Sequence, residues 1–137
     1  MNKFDIEGKS AVVTGGARGL GFAICERLLA SGAQVAIWDF DEQAASEAAA
    51  KLSAGGKTMA VNVDITDANA AAQAAADTQA ALGGIDILVN SAGIAGPTHT
   101  TWEYPVDDWR QVIEVDLVGT YLCCRAVVPG MRERGYG

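Results

Sequence analysis

The chain has 137 residues, of which 50% are hydrophobic and 20% are charged, and its formal net charge is −7. This composition is typical of one globular domain, or part of one, and argues against intrinsic disorder. The acidic balance and the lack of a basic run argue against nucleic-acid binding. No apolar segment approaches the roughly 20 residues that a membrane span needs, and the N-terminus has no signal-peptide pattern. We therefore expect no membrane or nucleic-acid partner and a cytoplasmic location.

Strand and helix patterns alternate along the chain. Short apolar runs predict strands at 10–14, 34–39, 57–63 and 85–90. Helical patterns, with Asp41 and Thr66 as candidate N-caps and glycines at the helix ends, predict helices at 19–31, 41–53, 66–82 and about 106–134. The strands are continuously apolar, as parallel strands covered on both faces are. The alternation therefore predicts an α/β fold, a doubly wound parallel sheet of the Rossmann type that is truncated after the fourth strand and the long helix.

A glycine-rich turn lies between the first predicted strand and the first predicted helix, from Thr14 to Gly21. Glycine permits a tight turn and lets a ligand approach the backbone closely. The free N–H groups and the positive dipole end of the helix favour an anion there, such as a dinucleotide pyrophosphate. Such a turn also occurs in S-adenosylmethionine-dependent methyltransferases, but these usually have an acidic residue in the place of Thr14.

Asp39 ends the second predicted strand and follows Gly21 by 18 positions. A carboxylate at this place can accept hydrogen bonds from both hydroxyls of an adenosine ribose, and it would repel a 2′-phosphate. The next residue is Phe40 rather than a cation, so NAD(H) is favoured over NADP(H). Arg18, in the glycine turn, keeps NADP(H) open as the minor alternative. The other interpretation of Asp39 is a helix cap or a polar strand end.

Polar residues also follow the third and fourth predicted strands. Asp64 comes after the third strand, and Asn90-Ser91-Ala92-Gly93 comes after the fourth. Open α/β sheets bind ligands at the carboxyl ends of their strands, so these residues are expected near the glycine turn. Taken alone, each segment is more often a turn than a site.

Together these segments resemble the compact members of the short-chain dehydrogenase/reductase family. The resemblance covers Lys9 to Gly137, and the order and spacing of its motifs are specific together. The motifs are Thr14-Gly15-x-x-x-Gly19-x-Gly21, Asp64, Asn90-Ser91-Ala92-Gly93 and Val115-Asp116-Leu117-Val118-Gly119. The resemblance implies an NAD-dependent oxidoreductase that transfers a hydride between NAD(H) and a secondary alcohol or ketone. A sugar, a polyol, a sugar acid or a 3-oxoacyl substrate would suit this chemistry.

The resemblance also implies which residues would bind the cofactor. Asp39 would hold the adenosine ribose, and Asp64 and Ile65 would flank the adenine. The nicotinamide would pass Asn90, Ala92 and Gly93. The pyrophosphate would lie against the glycine turn, which comprises Gly15, Arg18, Gly19, Leu20 and Gly21.

The family's chemistry uses a serine and a Tyr-x-x-x-Lys pair, in which the tyrosine exchanges a proton with the substrate oxygen. Neither Tyr104 nor Tyr121 has a lysine four positions later, and Arg125 cannot serve as that ammonium. Tyr121 is expected to be a packing residue. We therefore expect residues 1–137 to be the N-terminal, cofactor-binding half of a single Rossmann-type domain, inactive alone. The alternative is a module that binds NAD without chemistry.

Asp116 stands where family members usually have an asparagine in a proton relay. Helical spacing places it in one stripe with apolar residues. The stripe comprises Trp109, Ile113, Asp116, Thr120, Cys123 and Val127. Because an unpaired buried carboxylate is costly, we expect Asp116 to be paired or hydrogen-bonded. It is the candidate catalytic residue, as a replacement for the relay asparagine; the alternative is an ordinary aspartate on the helix surface.

Four further expectations concern an oligomer interface, a substrate pocket, metal binding and the cysteines. The long helix from Val106 to Arg134 is expected to contribute to a homo-oligomer, as in the family. The loop at 94–105 is a candidate border of a substrate pocket. No metal site is expected, because His99 is the only histidine and the three cysteines have no metal-ligand spacing. These cysteines are expected to be small buried hydrophobes in a reducing compartment.

Overall fold

The structure of the protein is a computed structural model that describes residues 5–137. Residues 1–4, part of the segment predicted to have no signal peptide, lie outside the described residues. The strands are β1 (Ser10–Thr14), β2 (Gln34–Asp39), β3 (Thr58–Asn62) and β4 (Ile87–Asn90). The helices are α1 (Gly19–Ala30), α2 (Glu42–Leu52), α3 (Ala68–Leu82), α4 (Val106–Ile113) and α5 (Thr120–Arg134). A 3-10 turn follows α2 at Ser53–Gly55, and a π-helical segment joins α4 to α5 at Glu114–Gly119.

The four strands form one parallel sheet in the order β3-β2-β1-β4. Val12 in β1 pairs with Ala36 in β2 on one side and with Leu88 in β4 on the other. Because every strand points the same way, the carboxyl ends of all four strands lie at one edge of the sheet. The predicted doubly wound, Rossmann-type fold is confirmed.

Helices cover both faces of this sheet, which explains why the strands are apolar throughout. Val13 and Ile37 face one layer, where they pack with residues of α1 and α2. Val12 and Trp38 face the other layer, where they pack with residues of α3 and α5. Successive strand side chains point to opposite faces, so a strand between two apolar layers needs apolar residues at every position.

The helix ends agree with the sequence predictions except at α3. Asp41 caps α2, because its side chain accepts a hydrogen bond from the Ala44 N–H. Gly83 ends α3 in the left-handed conformation. The prediction of Thr66 as the N-cap of α3 is wrong, because the cap is Asp67. Thr66 instead donates its N–H and its hydroxyl to the Asp64 carboxylate, and this places Asp67 at the start of the helix.

The predicted long helix at 106–134 is helical throughout, but the π-helical segment interrupts its α-helical periodicity. The wider i→i+5 turns shift the register, so residues before and after the segment do not share one face. Cys123 and Val127 are buried, whereas Trp109 and Ile113 are exposed. The predicted single stripe is therefore wrong. Tyr121 is 61% exposed within residues 5–137, so its assignment as a packing residue stays a prediction.

Candidate functional site

A cavity of about 980 Å³ lies at the carboxyl ends of the strands. Its size is at the upper end of the range for small-molecule sites. The predicted cofactor-binding residues in its lining are Gly15, Arg18, Gly19, Leu20, Gly21, Asp39, Asp64, Ile65, Ala92 and Gly93. Asn90 is not in this lining; its side-chain amide instead lies 3.5 Å from the Cys124 Sγ. The structure thus gathers residues from four separate sequence segments around one space.

The glycine turn holds the loops after β1 and β4 close together. The Gly15 N–H donates to the Trp38 carbonyl at 2.8 Å, and a Cβ built on Gly15 would lie 2.8 Å from the Ala92 Cα. Gly15 also has a φ of 63°, which side-chain-bearing residues rarely adopt. Sterics and conformation therefore both require glycine at this position.

Helix α1 begins at this turn without a side-chain cap. The N-cap residue is Arg18, which has an extended backbone conformation and a side chain that forms no capping hydrogen bond. The first N–H groups of α1 are thus not satisfied by a capping side chain, and Gly19 and Leu20 line the cavity directly. Such a helix start is suited to an anion.

Thr14 connects the two loops that border the cavity, a role that the sequence analysis did not identify. Its hydroxyl oxygen accepts the N–H groups of Ser91 and Ala92, both at 3.1 Å. The residue is 1% exposed. The sequence contains one sign of this role, namely a polar residue at the end of an otherwise apolar strand. A buried hydroxyl at such a place needs a hydrogen-bond partner.

Asp39 is held with its carboxylate at the wall of the cavity. Its Oδ2 accepts the Ala17 N–H at 3.2 Å, and its Oδ1 accepts the Asp41 N–H at 3.1 Å. Each carboxylate oxygen can accept more than one hydrogen bond, so both oxygens keep capacity for ligand hydroxyl groups. The two backbone N–H groups thus fix the orientation of the Asp39 carboxylate and leave it able to accept further hydrogen bonds.

Asp64 and Ile65 form the side of the cavity next to β3. The Asp64 Oδ1 accepts the Thr66 N–H at 2.9 Å and the Thr66 hydroxyl at 2.7 Å. Ile65 is 8% exposed and packs against Gly119, where a Cβ would lie 2.7 Å from its Cδ1. Asp64 therefore shapes a turn, and Ile65 supplies an apolar wall.

Asp116 lies behind the loop that follows β4 and is not in the cavity lining. Its Oδ1 accepts the Ile94 N–H at 2.9 Å and would lie 3.3 Å from a Cβ on Gly93. The expected hydrogen bond is therefore present, although Asp116 is exposed rather than buried. Gly93 and Ile94 line the cavity, and Asp116 contacts them from the side that faces away from it. Asp116 therefore helps to position this part of the cavity wall.

The start of the long helix contributes lining residues that the sequence analysis missed. These residues are Arg110, Gln111, Glu114 and Val115. They come from α4 and the π-helical segment, about 20 residues beyond β4 in sequence. No local pattern placed this helix over the cavity.

The loop predicted to border a substrate pocket reaches the cavity only at Ile94. Tyr104 packs edge-on against His99 and Trp109, with ring centroids 5.9 and 5.7 Å apart. Trp102 is 84% exposed. Aromatic contacts therefore hold this loop against α4.

Two of the three cysteines, Cys25 and Cys123, are not activated nucleophiles. Burial raises the pKa of the Cys25 thiol to about 12, and burial together with the neighbouring Cys124 raises that of Cys123 to about 11. Both thiols stay protonated near neutral pH, whereas the thiolate is the reactive form of cysteine.

Within residues 5–137, no group of three or more histidine, cysteine or acidic side chains is arranged to hold a metal ion. In the same part of the chain, no helix is both long and apolar enough to cross a membrane.

The parallel sheet, the uncapped start of α1 and the carboxylate of Asp39 at one cavity define a doubly wound α/β protein with its cavity at the carboxyl ends of its strands, where open α/β sheets bind ligands. The family comparison makes this class specific. The short chain dehydrogenase family model matches residues 9–137, and the chain belongs to that family.

Several characterised proteins are similar to the chain. A 2-dehydro-3-deoxy-L-rhamnonate dehydrogenase (NAD(+)) of Sphingomonas sp. (strain SKA58) is 47% identical over 130 residues, which are 95% of this chain and 51% of that protein. A D-threitol dehydrogenase of Mycolicibacterium smegmatis is 42% identical over 98% of this chain and 52% of its own length. The crystal structure of an NAD+-bound xylitol dehydrogenase superimposes with a TM-score of 0.95 at 27% identity, covering 98% of this chain and 52% of that one. The chain spans about half the length of these relatives.

Proposed function

We propose that the chain is the NAD-binding part of an oxidoreductase that transfers a hydride between NAD(H) and a secondary alcohol or ketone. The observation that carries this proposal is the Asp39 carboxylate, oriented by two backbone N–H groups at the wall of the cavity that α1 also faces. The two relatives that are named with NAD support the choice of this cofactor.

The residues present fit such a cofactor. A Cβ on Gly21 would lie 2.2 Å from the Gly15 carbonyl oxygen, so the glycines keep the turn tight enough for a phosphate to reach the helix start. The uncapped N–H groups of α1 would bind the pyrophosphate, and Asp39 would bind the ribose hydroxyls. Ile65 would pack against the adenine beside Asp64, and Ala92 and Gly93 would line the nicotinamide side with Asn90 nearby. Bound NAD+ would supply the hydride acceptor.

For the substrate we propose a hydroxylated compound such as a sugar, a polyol or a sugar acid. Two relatives carry names that refer to a sugar acid and a polyol. A 3-oxoacyl substrate is the less favoured alternative, because the chain is acidic and shows no basic patch for a carrier protein. We further propose that residues 1–137 form the N-terminal half of a single Rossmann-type domain.

A homo-oligomer through the long helix from Val106 to Arg134 is part of this proposal. Support comes from large apolar side chains that α4, α5 and the π-helical segment leave exposed, namely Val106, Trp109, Leu117, Tyr121 and Val128. Burial of such side chains is favourable, and exposed patches of this kind mark interaction sites.

The second candidate function is a module that binds NAD without chemistry. It applies if the full-length protein has no Tyr-x-x-x-Lys pair; within residues 1–137, neither Tyr104 nor Tyr121 is followed by a lysine at the fourth position. Isothermal titration of the full-length protein with NAD+, followed by assays of polyols and sugar acids, separates the two candidates. Binding with turnover supports the oxidoreductase, binding without turnover supports the module, and no binding contradicts both.

Replacing Asp39 with alanine is expected to raise the Kd for NAD+ by about 150-fold or more. The change removes hydrogen bonds between a charged acceptor and the ribose hydroxyls, each of which contributes about 1.5–3 kcal/mol. Isothermal titration of the full-length protein measures the effect. Asp77→Ala is the matched control, because Asp77 is an exposed carboxylate on α3 whose Oδ1 accepts a hydrogen bond from the Gln73 side-chain amide at 2.8 Å. An Asp39→Ala protein with wild-type affinity would contradict the ribose role.

Replacing Asp116 with alanine is expected to lower kcat about tenfold or more while the Kd for NAD+ stays within about threefold, as loss of a proton-relay or positioning group would do. Asp116→Asn keeps a carbonyl oxygen for the Ile94 N–H and is expected to restore most of the turnover. The pH profile of kcat tests for a relay, because a purely structural role would leave its shape unchanged. Unaltered kcat in Asp116→Ala would rule out both roles.

A further inference from the structure

The side chain of Arg18 lies at the boundary between two cavities. It lines the large cavity described above and a second cavity of about 320 Å³ between α1 and α2. Its Nη2 forms an ion pair with the Oδ2 of Asp41, which lines only the second cavity. The guanidinium is therefore paired on the side of α2, although Arg18 starts the helix that faces the large cavity.

Asp41 is held firmly in the position that this ion pair requires. Its Oδ1 accepts the Ala44 N–H at 3.0 Å as the N-cap of α2, and its own N–H donates to Asp39 at 3.1 Å. One carboxylate oxygen thus serves the helix and the other serves Arg18. The Ala44 N–H and the Arg18 guanidinium lower the pKa of the Asp41 carboxyl, so it is ionised at neutral pH.

This arrangement bears on the 2′-position of an adenosine ribose bound by Asp39. Arginine is the side chain best suited to a phosphate, and Arg18 and Arg110 are the cationic residues of the large cavity's lining. Asp41 directly follows Phe40, whose side chain is uncharged and 77% exposed. The net charge available beside the ribose therefore depends on whether the Arg18 guanidinium is paired with the Asp41 carboxylate.

We propose that Asp41 is a specificity-determining residue, which pairs with Arg18 and thereby withholds the guanidinium from a 2′-phosphate. Asp39 recognises the ribose hydroxyls, and Asp41 keeps Arg18 from compensating the charge of a phosphate at the 2′-position. Its own negative charge also repels a 2′-phosphate. The site consequently selects a dinucleotide with a free 2′-hydroxyl. This inference rests on the proposed function.

The test compares NAD+ and NADP+ binding to the full-length protein by isothermal titration. Asp41→Asn is expected to lower the Kd for NADP+ about fivefold and to leave the Kd for NAD+ within about twofold, because an exposed ion pair is weak and asparagine still caps a helix well. Asp67→Asn is the matched control. Asp67 caps α3 through the Asn69 and Ala70 N–H groups, and within residues 5–137 it forms no ion pair with an arginine.

A second variant assigns the effect to Arg18. Adding Arg18→Gln to Asp41→Asn is expected to return the Kd for NADP+ to the wild-type value, since the released guanidinium is then gone. If Asp41→Asn does not fold, Asp41→Ser replaces it, because serine also caps helices. Unchanged NADP+ affinity in a protein that binds NAD+ normally would overturn this inference alone. Failure of the wild-type protein to bind NAD+ would overturn the proposed function, and this inference with it.

Discussion

Replacing Gly21 with alanine is expected to lower the free energy of unfolding by about 3 kcal/mol and to abolish measurable NAD+ binding. The added Cβ would lie 2.2 Å from the Gly15 carbonyl oxygen, 2.9 Å from its carbonyl carbon and 3.0 Å from the Gly16 Cα. These are backbone atoms of the glycine turn, so no side chain can rotate away. Either α1 moves away from the turn or the turn opens, and both changes displace the proposed pyrophosphate site.

The measurements are chemical denaturation and isothermal titration of the full-length protein. Gly55→Ala is the matched control, because Gly55 has no positive φ and a Cβ there would meet only the Leu29 Cβ, at 3.7 Å. This variant is expected to change the free energy of unfolding by less than about 1 kcal/mol and to bind NAD+ normally. Wild-type stability and binding in Gly21→Ala would show that the close contact between α1 and the turn is dispensable.

The fold could be predicted because its main determinants are local patterns in the sequence. Val12 and Val13 face opposite layers, and both layers are apolar, so β1 appears in the sequence as an uninterrupted apolar run. The glycine turn was equally visible, since the close contact at Gly21 and the φ of Gly15 both require glycine. Such requirements restrict residue type at single positions and can be recognised without knowledge of the fold.

The π-helical segment could not be predicted in the same way. Its sequence, Glu114 to Gly119, is compatible with an ordinary α-helix. The only local sign is Gly119, which is buried against Ile65, a residue more than 50 positions earlier. The shift in helix register depends on tertiary packing, and the predicted stripe of residues failed for that reason.

The hydrogen-bond and ion-pair partners of the side chains within the site could not be predicted from the sequence either. Thr66 and Asp67 are both suitable N-caps, and the hydrogen bonds of Thr66 to Asp64 decide between them. The ion pair of Arg18 with Asp41 joins residues 23 positions apart and depends on which rotamer the arginine adopts. The sequence could identify both partners as candidates for other roles, but not their contact.

Replacing Trp38 with alanine is expected to lower the free energy of unfolding by about 4 kcal/mol, as large-to-small changes of buried aromatic residues do. Trp38 is fully buried in the layer between the sheet, α3 and α5, and its Nε1 donates to the Thr78 Oγ1 at 3.0 Å. Its backbone carbonyl also accepts the Gly15 N–H at 2.8 Å. A cavity beneath this point would therefore loosen the support of the glycine turn, and the Kd for NAD+ is expected to rise as well.

Two further variants separate the ring from its hydrogen bond. Trp38→Phe removes the donor and part of the volume, and Thr78→Val removes the acceptor with little change in shape. In a double-mutant cycle by chemical denaturation of the full-length protein, the coupling energy between these changes is expected to be about 1 kcal/mol. The remaining loss in Trp38→Ala is then the packing contribution of the ring. A loss below about 1 kcal/mol in Trp38→Ala would mean that the layer between the sheet and α3 refills around the missing side chain, and the glycine turn would not depend on Trp38 for its support.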